Sequence, residues 1–153
     1  MRRTTLAMLS ALLLLLGVAL TPVSAATGVF RLTLTGDQEA TATCAPPAVC
    51  GDPDAAGAAI VIINPVRDTV CFLSRWTGID GTVGAAHIHL APEGVPGPVV
   101  VPLFAGTFEG SDKTRGCVPA NGLADDILAQ PSDYYINIHS SVYPAGAIRT
   151  QLG

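Results

Sequence analysis

Aromatic and charged side chains are both scarce in this chain, at 5% and 13% of 153 residues, with a single tryptophan. Helical surfaces are built mainly from Glu, Lys, Arg and Ala, so a shortage of charge beside 16 glycines and 12 prolines points to strands and turns. Basic residues are especially few: eight Lys and Arg stand against twelve Asp and Glu. That balance excludes nucleic acid as a partner. There is no phosphate-cradling glycine loop, no Ser-His-Asp order and no paired-carboxylate motif, and Gly94-Val95-Pro96-Gly97 reads as a turn. Beyond the first twenty residues no apolar run approaches the length of about 20 residues that a spanning helix needs.

The beginning of the chain has a different character. Met1-Arg2-Arg3 precedes an apolar stretch over 6–20, and Val23-Ser24-Ala25-Ala26 offers small residues for cleavage. This is the pattern of a secretory signal peptide over 1–25, which predicts a secreted or periplasmic mature domain over 26–153. No cysteine at the cleavage point can carry a lipid, so no stable membrane anchor is expected after cleavage. Loss of Arg2 and Arg3 leaves six basic residues against twelve acidic ones, a net charge of −6. An exported chain with four cysteines is expected to oxidise them in pairs, and three connectivities are open. The preferred one joins Cys44 to Cys50, closing the loop that contains Pro46 and Pro47, and Cys71 to Cys117, tying a central strand to a later one. Their spacing does not fit a thiolate zinc site.

The mature chain reads as short strands separated by turns. Residues 29–35 alternate Phe30, Leu32 and Leu34 with Arg31, Thr33 and Thr35, the period of a half-buried strand. Residues 36–57, with Asp37 and Glu39 at their start, read as a surface loop. The runs 58–63 and 69–77 flank a turn at 64–68 and predict a hairpin, with Trp76 at one end of the core. A strand over 86–90 leads into the proline- and glycine-rich loop 92–98, then into 99–104, where Pro102 implies an edge strand or a bulge. Residues 106–110 and 113–118 suggest another hairpin. One short helix is expected over 122–130, capped by Asn121 and stopped by Pro131, with Asp125 and Asp126 facing solvent. Strands over 134–139 and 147–152 end the chain. The class is all-β, a β-sandwich or closed barrel with Greek-key connections.

All three histidines fall on polar strand faces. Alternation places His87 and His89 on one side of their strand, opposite Ala86, Ile88 and Leu90, and groups His139 with Tyr135 and Asn137. If the two strands are neighbours, the three imidazoles form a mononuclear site for copper or zinc, with water or Glu93 in a fourth position. Asn137 or an acidic loop residue then orients one ring, and Arg149 pairs with Glu93 or another carboxylate. The metal-free alternative is that the histidines hydrogen-bond to the backbone, Asn137, Tyr135 or each other. The protein is then an interaction module for an extracellular protein or matrix polymer, using loops such as 92–98. An exported β-barrel with a His-x-His strand also resembles Cu/Zn superoxide dismutase in outline. Three histidines cannot build that enzyme's six-histidine site, and a copper-only version normally takes four imidazoles, so binding is favoured over catalysis.

Three blocks carry a more specific likeness: Thr35-Gly36-Asp37-Gln38-Glu39; Ala85-Ala86-His87-Ile88-His89 with Gly97-Pro98-Val99-Val100; and Tyr135-Ile136-Asn137-Ile138-His139 with Tyr143-Pro144-Ala145-Gly146-Ala147-Ile148-Arg149-Thr150-Gln151-Leu152. Together they resemble the CHRD domain, named after chordin, in its bacterial exported single-domain form, over about 28–152. The stretch 123–131 is similar to the Ala-Asp-Ile-Leu segment of bacterial members. The loop between Cys44 and Cys50 departs from the shorter continuation of that family. The resemblance implies an all-β, immunoglobulin-like barrel. Chordin antagonises a secreted growth factor, and nothing in this small chain supports transferring that role.

Overall fold

The computed structural model describes residues 26–44 and 50–153. The expected signal peptide over 1–25 and the prolines at 46 and 47 lie outside the described residues. Period-2 patterning produces eight strands: β1 (Gly28–Thr35), β2 (Ala56–Asn64), β3 (Thr69–Thr77), β4 (Val83–Leu90), β5 (Val99–Ala105), β6 (Lys113–Pro119), β7 (Tyr134–Ser140) and β8 (Ile148–Gln151). One helix, α1 (Ala124–Ala129), and two single 3-10 turns, Gly36–Gln38 and Pro131–Asp133, complete the regular structure.

The strands form one antiparallel sheet in the order β5-β4-β7-β8-β1-β2-β3-β6. It curls until its two edges, β5 and β6, touch, giving the nearly closed barrel that the strand pattern predicted. Two pairings skip intervening strands, as Greek-key connections do: β3 with β6 reaches across the β4–β5 hairpin, and β4 with β7 across β5 and β6. Inside lie Leu34, Val61, Ile63, Val70, Ile88 and Ile136, each with essentially no exposed surface. Trp76 closes one end against Phe104 and Phe108, at ring separations of 5.9 and 6.1 Å. Disulfides join Cys44 to Cys50 and Cys71 to Cys117, the second across directly paired residues of β3 and β6.

Three sequence expectations are corrected. Residues 106–110 form no hairpin with the strand after them: they hold no strand, and β6 pairs with β3 instead. The helix is shorter than 122–130. Asn121 does not cap it, since Asn121 takes a left-handed turn (φ 58°) and spends its side-chain amide on the Val100 carbonyl at 3.0 Å. Leu123 stands at the cap position instead. Finally, the loop after β1 is not a surface excursion: Gly36, Glu39, Ala40, Gly51 and Asp52 are all buried.

The β2–β3 turn forms where expected and is held by Asn64 Oδ1, which accepts from the Arg67 N–H at 3.0 Å. Asn64→Ala removes this bond at an exposed site, so chemical denaturation should show a loss of only about 0.5–1.5 kcal/mol. A larger loss would mean that the turn nucleates more of the hairpin than one hydrogen bond.

Candidate metal centre

β7 is buried on both faces. Its even residues, Tyr134, Ile136 and Ile138, enter the barrel, while Tyr135, Asn137 and His139 face outward and lie beneath loops. The register sets His87 of β4 opposite Asn137, and Asn137 opposite Arg149 of β8; one row along, His89 faces Tyr135 and Tyr135 faces Gln151. Alternation on three adjacent strands thus assembles a polar layer outside the barrel wall. β5 adjoins this layer with two register shifts, opposite residues 86–89, around Pro102, the irregularity its proline implied.

The three histidines come together. Their candidate ligand nitrogens lie within 4.8 Å of one another. His139 Nδ1 faces the Pro144 carbonyl at 3.1 Å and His89 Nδ1 faces the Gly97 carbonyl at 2.9 Å. A carbonyl only accepts, so both rings carry their proton on Nδ1 and leave Nε2 as a lone pair. His139 Nε2 is 3.0 Å from His87 Nδ1. Two nitrogens bound to one metal at roughly 2.0–2.1 Å stand about 2.9–3.4 Å apart for right to tetrahedral angles. His89 Nε2 is buried and has no hydrogen-bond partner among the described residues. Burial, with neighbouring imidazoles adding to it, lowers His87 to a pKa of about 4; burial also lowers His89 and His139, against the opposing pull of their carbonyl partners. The rings are therefore neutral at physiological pH, the form that binds metal. A shallow cleft lined by His87, His139, Val99 and Pro144 opens beside them, giving solvent and small ligands a path to the cluster.

Of the other predicted site residues, Asn137 adjoins His89, while Glu93 and Arg149 lie apart from the ligand set. Glu93 is exposed in the loop 92–98 and is not among the clustered groups. Arg149, only 1% exposed, donates to the Val95 and Pro92 carbonyls and to Gln151, at 3.0, 3.0 and 3.2 Å. Its guanidinium lies 3.4 Å from the centre of the Tyr135 ring, and His89 stacks on the same tyrosine at 4.6 Å and 10°. Gln151 donates to the Ala91 and Ser132 carbonyls, and Tyr135 Oη accepts from the Gly97 N–H. Far from hanging free, the loop after β4 is clamped by four side chains of β4, β7 and β8.

Glu39 is the residue that pattern reading missed. It is 1% exposed, and Gly146, at φ 143°, leaves the space its carboxyl fills: a Cβ there would stand 2.3 Å from Oε1. Burial raises its pKa to about 7, with Arg149, the Asn137 side chain and the Ala40 N–H pulling the other way. Asn137 stands between Glu39 and His89 and acts on both, yet Glu39 Oε1, Asn137 Oδ1 and His89 Nε2 have no aligned hydrogen-bond partner among the described residues. The only signal in the sequence was that Glu39 falls within the first of the three family-like blocks.

A family model described as the CHRD domain matches residues 30–152. No curated protein and no solved structure matches the chain. Two disulfides suit an oxidising compartment, and no helix among the described residues is long and apolar enough to cross a membrane.

Proposed function

From the premise that this chain belongs to the CHRD domain family, we propose that it is an exported binding domain that holds one copper or zinc ion through His87, His89 and His139. The observation that carries the reading is a buried imidazole nitrogen on His89 with no hydrogen-bond partner among the described residues, beside two further imidazoles whose nitrogens lie within 4.8 Å. An unpaired buried acceptor is costly, and a cation relieves that cost. Imidazole donors suit copper and zinc over the harder magnesium and calcium. Three protein ligands beside a cleft leave a position for water or a small ligand. The chain has no fourth histidine to complete a copper dismutase site, so binding is preferred to turnover.

A second reading, a metal-free module for an extracellular protein or matrix polymer, draws on the His87–His139 contact, which satisfies two ring nitrogens without any ion. Elemental analysis of untagged, exported protein decides between them. The expected result is about one copper or zinc per chain, absent from a folded His87→Ala/His89→Ala/His139→Ala variant. Native protein that carries no metal and takes up neither copper nor zinc tightly would remove the first reading. Mass spectrometry of the same material should show a chain beginning after residue 25.

A further inference from the structure

Six Lys and Arg residues lie among the described residues, and four of them share one surface. On the outward side of β1, β2, β3 and β6 the register places Arg31, Ile60, Leu73 and Arg115 in one cross-strand row, and Thr33, Ala58, Arg75 and Lys113 in the next. None of these four strands contains an acidic residue, although the chain has twelve. A groove runs across the face, with Ala58 and Ile60 at its base, Arg31 on one flank and Arg75 and Lys113 on the other. Leu73, 44% exposed, adds apolar surface beside them.

We infer that this face binds an acidic polysaccharide, a linear polyuronate lying in the groove with its carboxylates against the flanking cations. The inference is independent of the metal site, which occupies the outer face of β4, β7 and β8. Charge complementarity selects the sign of the partner. With its four cations on this face and Asp112 at its border beside Arg75, the chain is left with two basic and eleven acidic described residues elsewhere, so a polyanion is attracted here and repelled by the rest.

The groove's composition narrows the class. Neighbouring strands stand about 4.8 Å apart and alternate residues about 6.8 Å apart, so Arg75 and Lys113, and Lys113 and Arg115, are separated on the scale of one sugar unit, with Arg31 facing them across β2. A sugar ring sets its C–H face on the aliphatic floor while its hydroxyls stay in water. A peptide lying there would bury its own backbone amides unpaired, because β2 and β3 beneath the groove are paired with a strand on either side. A bilayer surface does not enter a groove flanked by side chains.

The test uses the full exported chain and measures its binding to polygalacturonate by affinity electrophoresis and calorimetry, with dextran and vesicles of mixed zwitterionic and anionic phospholipid alongside. The inference expects binding to the polyuronate alone, weakening as salt rises. Arg75→Glu/Lys113→Glu should weaken it at least about tenfold, while Arg75→Lys/Lys113→Arg keeps it and the histidine triple variant leaves it unchanged. Circular dichroism and a denaturation midpoint confirm that each variant is folded. No binding to polygalacturonate, equal binding to dextran or to vesicles, or charge reversal without effect would each overturn the inference.

Discussion

Arg149→Met should destabilise the protein by about 3–5 kcal/mol at pH 8, the scale expected when one partner of a buried charged group is removed. The loss has two parts. One is the anchorage of the loop 92–98, which Arg149 holds through the Pro92 and Val95 carbonyls. The other is electrostatic: Arg149 lowers the pKa of the buried Glu39 carboxyl, and without it the ionised carboxylate loses the cation that offsets its burial. Methionine fills much of the volume and keeps contact with Tyr135, so the change reports charge and hydrogen bonding more than a cavity. The two parts separate by pH. At pH 4 Glu39 is protonated with or without Arg149, and only the loop term remains, so urea unfolding should give a smaller cost there than at pH 8. An equal cost at both values would sever Glu39 from Arg149 energetically and leave the arginine as a loop anchor only.

Glu39→Gln should have the opposite sign at high pH. Its folded pKa of about 7 lies above the unconstrained value of 4.5, because burial penalises the charge. The folded state therefore keeps a proton that the unfolded chain has lost. The stability this group contributes is complete below about pH 4.5 and is lost as pH rises to about 7. Glutamine cannot ionise, so metal-free variant and parent should match near pH 4, and the variant should be more stable at pH 8 by on the order of 2–3 kcal/mol. The histidines run the other way. Their lowered pKa values mean that their contribution is lost as pH falls from 6.5, reaching about 4 for His87. The parent should consequently show a stability maximum in the mildly acidic range, and Glu39→Gln should turn it into a rise with a plateau above pH 7. A gap between the two proteins that stays constant from pH 4 to pH 8 would contradict a buried, proton-holding Glu39.

These two residues also mark what the chain disclosed before its structure was known. The alternation in β4 and β7 was sufficient to put all three histidines on polar faces, because the strand period is a local property and the runs are long enough to display it. That the two strands are neighbours is non-local, and it came from the barrel's closure. The sequence pairs Arg149 with Glu93 or another carboxylate, yet its hydrogen bonds go to Gln151 and to backbone carbonyls of a loop 54 and 57 residues away, and no side-chain pattern records a carbonyl. Glu39 follows a 3-10 turn within a polar stretch of no regular period, so nothing in its neighbours distinguishes it from a solvated acid. The misplaced hairpin at 106–118 has the same origin: a short strand with one side chain in two facing the core pairs equally well on paper with any neighbour. Only its packing against β3 selects the partner.

The clamp on the loop 92–98 has a bearing on how this scaffold can be altered. Surface loops ordinarily accept inserted residues at small cost, and protein engineers place tags, reporters and new chain ends in them. Here the Gly97 carbonyl decides which nitrogen of His89 carries the proton. An insertion that shifts residue 97 by one position would free that nitrogen and let the imidazole turn over, so the length of the loop is part of the coordination chemistry. The exposed bend at 109–112, which touches none of the three histidines, is the better place to open the chain.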